Sequence, residues 1–160
     1  MLQSATTQTS LRGDDMLVGL LNAIDRGFAA LADPLLLAAR LLLAWNFFPA
    51  GLDKIQNYAS TAQFMESQGV PAFLLPFVIL LEILGPIFLT VGLLTRLTAL
   101  ALAVFTVLAD VIFNRGDTSS TGQYLYESEL TMVSGMLALM AVGAGKWALD
   151  ALRTRHSAAA

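Results

Sequence analysis

Four stretches of the chain run almost without polar interruption: residues 35–52, 71–94, 97–113 and 130–145. Together they hold only three charges, Arg40, Glu82 and Asp110. Each is close to the roughly 20 residues that a helix needs to cross about 30 Å of hydrocarbon. A soluble helix of this length carries a polar stripe at a 3.6-residue period, whereas in 71–94 the apolar residues go all the way round. That stretch also contains Pro71, Pro76 and Pro86, which membrane helices tolerate because their neighbours re-satisfy the freed backbone. The pattern predicts an all-α membrane protein: a bundle of four transmembrane helices, with a partly helical outer segment over 55–70.

Ahead of the first span the pattern changes. Residues 1–15 are polar, rich in Ser, Thr and Gln, and read as a disordered tail. Over 16–33, Leu17, Leu20, Leu21, Ile24, Phe28 and Leu31 keep an i, i+3, i+4, i+7 spacing, which predicts an amphipathic helix lying at the membrane surface. Asp33 and Pro34 read as the N-cap and first residue of span one. The membrane domain then occupies 34–152, and 153–160 form a second polar tail. Tyr124 and Tyr126 before span four, and Trp147 after it, fit interfacial aromatics. A signal peptide is not expected, because Asp14 and Asp15 stand where its basic region belongs.

Four spans place both termini on one side, together with the 95–96 connection. That side collects Arg12, Arg26, Arg96, Lys146, Arg153 and Arg155, against Lys54 and Arg115 on the other. The bias predicts cytoplasmic termini in a cell (inner) membrane.

Composition narrows the chemistry. Of 160 residues 56% are hydrophobic and 13% charged, against roughly 25% charged in a soluble domain. The absence of cysteine excludes disulfides, Cys-ligated metal centres and thiol nucleophiles. One histidine, His156, cannot supply a multi-His metal or haem site. A net charge of -3 leaves no basic footprint for nucleic acid. No phosphate cradle, nucleophile elbow or metal-ligand spacing occurs, so no catalytic residue and no metal ligand is assigned.

Several local patterns come in a telling order. Arg40 in span one is followed by Gly51-Leu52-Asp53-Lys54, then Gln63 to Pro71, then Leu81-Glu82. Gly92-Leu93-Leu94-Thr95-Arg96 and Gly143 to Asp150 (Gly-Ala-Gly-Lys-Trp-Ala-Leu-Asp) complete the series. Over roughly 34–152 this resembles the DoxX family of small four-helix membrane proteins. The resemblance implies a fold and a location. It also implies a link to redox chemistry, because the family is called after a subunit of a thiosulfate:quinone oxidoreductase. On that basis the chain is expected to be an accessory or anchoring subunit of a quinone-linked system, with a quinone as the cofactor it would meet and a redox protein, or a second copy of itself, as partner. The alternatives are a stand-alone small transporter or proton-conducting protein, and a structural or stress-related membrane protein without chemistry.

The candidate intramembrane polar site is Arg40, Lys54, Glu82 and Asp110. Ionised groups at membrane depth are costly and need partners, so Arg40 and Glu82 are expected to meet. The pair reads either as a proton-handling or quinone-headgroup site or as a static ion pair that fixes packing. Arg40, Phe47, Gly51 and Lys54 share one face of span one, which suits an internal crevice or a helix interface equally. Asp110 extends the small-residue face Ala99, Ala103, Thr106, and span four offers Thr131, Ser134, Ala138, Ala141 and Gly145 to match. Near the outer surface, Asp110 has Lys54, Arg115, Glu127 and Glu129 as candidate neighbours. Met132, Met136 and Met140 read as lipid-facing filler.

Overall fold

The computed structural model describes the backbone of residues 2–114 and 119–152, with side chains from Met16 onward. The reading of 153–160 as a polar tail, and the candidates Arg115 and His156, lie outside the described residues. The described residues form five α-helices: α1 (Leu2–Gln56), α2 (Tyr58–Ser67), α3 (Leu75–Val91), α4 (Thr95–Phe113) and α5 (Ser120–Val142). A 3-10 turn at Ala72–Leu74 leads into α3. Among the described residues there is no strand, and four helices are long and apolar enough to cross a membrane.

Two compact units divide the chain, Met1–Leu35 and Leu36–Ala160. In the first, the sequence predicts a tail, a break and a surface helix, but the backbone is helical from Leu2 onward without interruption. Pro34 starts no new helix. It removes one backbone hydrogen bond, while Ala29, Ala30, Ala32 and Leu35 to Ala39 around it are strong helix formers. Extending an existing helix costs less than nucleating another. The apolar side chains from Leu17 to Leu31 are all exposed.

In the second unit, the core gathers one face from each long helix: Leu43 and Phe47 from α1, Leu89 from α3, Ala99, Leu102 and Ala103 from α4, and Val133, Met136 and Leu139 from α5. Glycines set the closest approaches. A Cβ at Gly51 would stand 3.1 Å from that of Glu82 and 2.9 Å from Ile83 Cδ1, so α1 and α3 meet there nearly backbone to backbone. Gly85 faces Leu102 in the same way, one residue before the kink-prone Pro86. Pro86 cannot donate to the carbonyl of Glu82, the residue one turn earlier.

Two expectations for span four fail. Its small-residue face is turned outward, with Thr131, Ser134, Ala138 and Ala141 exposed. Their hydroxyls need no partner helix: Thr131 Oγ1 donates to the Glu127 carbonyl (2.8 Å) and Ser134 Oγ to that of Thr131 (2.7 Å). The methionine stripe faces inward instead, Met136 being fully buried with Met132 and Met140 packed beside the core. The flexible thioethers fill the space that small residues would leave open. The helix also begins earlier than expected, at Ser120, so Tyr124 and Tyr126 lie exposed on its first turns.

Candidate functional site

The charged residues of the membrane segments sort to the two ends of the bundle. One end is a clasp. Gly92 terminates α3 in the left-handed region (φ 69°), and Leu94 (φ 49°) enters α4 without a capping side chain of its own. The missing cap comes from far along the chain: the Asp150 carboxylate accepts from the amides of Leu94 and Thr95, both at 2.8 Å. A carboxylate at a helix N-terminus satisfies orphan N–H groups and complements the helix dipole. The Asp150 amide in turn donates to Gly92 O at 2.9 Å. Arg40, fully buried, ties the same region to α1: Nη2 donates to Trp147 O (2.6 Å) and Nη1 to Leu89 O (3.4 Å). A side chain at Gly92 would collide with that guanidinium and with Ala148.

Arg40 therefore does not meet Glu82, contrary to the sequence expectation. The reason is axial reach. The backbone of α1 comes closest to Glu82 at Gly51, and Arg40 lies eleven residues, about 16 Å, before it. Lys54, one turn beyond Gly51, reaches instead: Nζ donates to Glu82 Oε1 at 2.9 Å and lies 2.8 Å from Oε2. Glu82 is almost completely buried and Lys54 about a quarter exposed.

This second end holds a cavity of about 350 Å³. Its polar lining includes Asn46, Lys54, Glu82, Asn114 and Glu129 beside the hydroxyls of Thr61 and Thr106, and its walls include Phe47, Phe64, Met65, Phe105, Phe113 and Met132. All four spans contribute, and α2 adds Thr61, Phe64 and Met65: Phe64 stacks on Phe113 with ring centroids 5.5 Å apart. Asp110 does not line the cavity but flanks it, accepting from Asn114 Nδ2 at 2.9 Å and hydrogen-bonding the Glu129 side chain. Among the described candidate neighbours of Asp110, Glu129 is the one it meets.

Of the four candidate residues, then, Lys54 and Glu82 come together, Asp110 stands behind Glu129 beside them, and Arg40 belongs to the opposite end. Of the aromatic walls only Phe47 was singled out from the sequence, on the face it shares with Lys54, and Asn114 was not. Only the Gln63 to Pro71 segment hinted that the outer connection mattered, and Phe64 and Met65 sit in it.

Comparison with known proteins agrees with this architecture. The DoxX family model matches residues 35–115. The chain is 41% identical over 122 residues to the inner membrane protein YqjF of Escherichia coli, covering 76% of this chain and 94% of that one. It is 33% identical over 129 residues to an uncharacterized protein of Haemophilus influenzae, covering 73% and 82% respectively. No solved structure matches. A match over half the chain, a relative covered almost from end to end and four membrane-length helices lead to one conclusion: the chain is an integral membrane protein of the DoxX family.

Proposed function

We propose that the chain is an accessory subunit of a quinone-linked redox system in the inner membrane, with both termini cytoplasmic and the cavity in the outer half of the bilayer. The observation that carries this reading is the cavity itself. Its size falls within the range of small-molecule sites, and it combines apolar aromatic walls with a few convergent polar groups. An aromatic headgroup fits that lining: the phenylalanines would stack on the ring, and Lys54, Asn46 and Asn114 are placed to orient its oxygens. A quinone bound there would supply two-electron, two-proton chemistry, which a partner protein would have to drive. The Lys54–Glu82 pair keeps the charge at membrane depth neutral whether or not the cavity is filled. Inner-membrane residence is in line with the E. coli relative.

The test is gentle solubilisation of native membranes, followed by mass spectrometry of what co-purifies. A stoichiometric redox protein or a retained quinone is the expected result. A solitary protein that carries solute or proton flux in liposomes would replace this reading with that of a small transporter. Finding neither partner, quinone nor flux would leave a structural membrane protein.

A further inference from the structure

The apolar residues in the first part of α1 keep a stricter order than an amphipathic helix needs. Leu17, Leu21, Ile24, Phe28, Leu31 and Leu35 follow one another at intervals of four, three, four, three and four. That is a repeat of 3.5 residues, the a and d positions of a heptad, which favours helices supercoiled around each other. Asp14 takes the next position toward the N-terminus and ends the series. All six apolar side chains are exposed in their unit. The same count, carried along the sequence, falls on Ala38, Leu42 and Trp45 of the second unit, which are exposed too, Trp45 to 77%. There α1 buries Arg40, Leu43, Ala44 and Phe47, and on a helical wheel these lie opposite the series. From 17 to 45 the repeat runs for about four heptads, long enough to specify a coiled coil.

Lipid does not suit this face over residues 17–35. The apolar helical stretch Met16–Gln56 counts 41 residues, about 60 Å, twice what about 30 Å of hydrocarbon requires. A helix lying among the headgroups wants a basic polar face, yet residues 14–33 hold four aspartates and one arginine, which anionic lipid repels. A second helix of the same sequence does suit it. Every copy enters the bilayer in the same sense, so the same residues meet in parallel and in register. The positions flanking the seam are Val18, Leu20, Gly27, Ala32 and Pro34, with Asp25 the one charge among them. In a parallel pair Asp25 falls beside Leu20 of the second copy, so no like charges oppose each other. Arg26 and Asp33 fall on the outer side. We infer that residues 17–35 of α1 form a parallel coiled-coil seam with the same residues of a second copy, tethering two bundles. The seam is independent of the cavity and of what the cavity binds.

The experiment places single cysteines in this cysteine-free chain and oxidises membrane vesicles that carry it. A disulfide needs Cβ atoms about 4 Å apart, which in a parallel pair only the seam positions approach. L17C, I24C and L31C are expected to give disulfide-linked dimers at least about tenfold faster than N22C and R26C, which lie off the seam. I24E/L31E, added to L17C, should slow its cross-linking by at least about tenfold. Both side chains are exposed, so that variant should melt like the parent. Equal cross-linking at all five positions would show chance collision and overturn the inference. Seam cysteines that stay unlinked to a second copy would overturn it as well. Shielded from maleimide, they would give this face to lipid, and joined to a protein of another mass, to a different partner.

Discussion

At the scale of single residues, the two buried charges that define the membrane segments solve the same problem differently. Arg40 spends its charge on backbone carbonyls at the clasp, and Glu82 spends its charge on a lysine. Removing one member of a buried pair leaves the other uncompensated, at a cost of about 3 kcal/mol, reduced where one partner reaches solvent. K54M, which orphans the deeply buried Glu82, is therefore expected to destabilise by about 2–3 kcal/mol, and K54M/E82L by less than K54M alone. A thermal-stability cycle in detergent checks this. The corresponding cycle for Arg40 and Glu82 should be additive, because the two groups have no common partner. A coupling between Arg40 and Glu82 as large as that between Lys54 and Glu82 would contradict the geometry. Both charges were legible as costly in the sequence. Their partners were not, because helical-wheel reasoning gives the face of a residue but not the height at which another helix approaches. That height is set by Gly51, whose missing side chain lets α3 come close.

Between elements, long-range capping replaces local capping. Leu94 has no side chain able to cap α4, so the helix start depends on Asp150, whose two oxygens take two of its orphan amides. D150A is expected to cost about 1–2 kcal/mol, in the range of lost N-caps. D150N should cost less, since it retains one acceptor oxygen, and a melting curve in detergent separates the two variants. This explains why Gly92 to Arg96 and Gly143 to Asp150 stood out together in the sequence, although nothing in either motif announced that one caps the other. The small-residue face of α5 was misread for a related reason. Small residues allow close packing but do not compel it, and hydroxyls that bond their own backbone are content against lipid. The inward face is the one bearing Met136, so M136A should cost about 2–5 kcal/mol. S134A should be near neutral, and reversed costs would restore the original assignment.

Across the whole molecule, the two ends of the bundle differ in charge as well as in purpose. The clasp end carries Arg96, Lys146 and the buried Arg40, whereas the cavity end pairs Lys54 with Glu82 and adds Asp110 and Glu129. Cytoplasmic ends of membrane helices collect Lys and Arg, which would put the clasp inside and the cavity toward the outer leaflet. The chain itself makes this testable, because it has no native cysteine. Tyr58 at the start of α2 and Trp147 in the clasp region are both exposed, and three membrane-length helices, α3, α4 and α5, separate them. The comparison is independent of the first 35 residues, which form a unit of their own. In intact cells a membrane-impermeant maleimide should label Y58C and leave W147C untouched, with W147C reacting only once the membrane is opened. The reverse pattern would invert the orientation and turn the cavity toward the cytoplasm. Labelling of both positions from one side would mean that an even number of crossings separates them, and that α3, α4 and α5 do not each cross the membrane once.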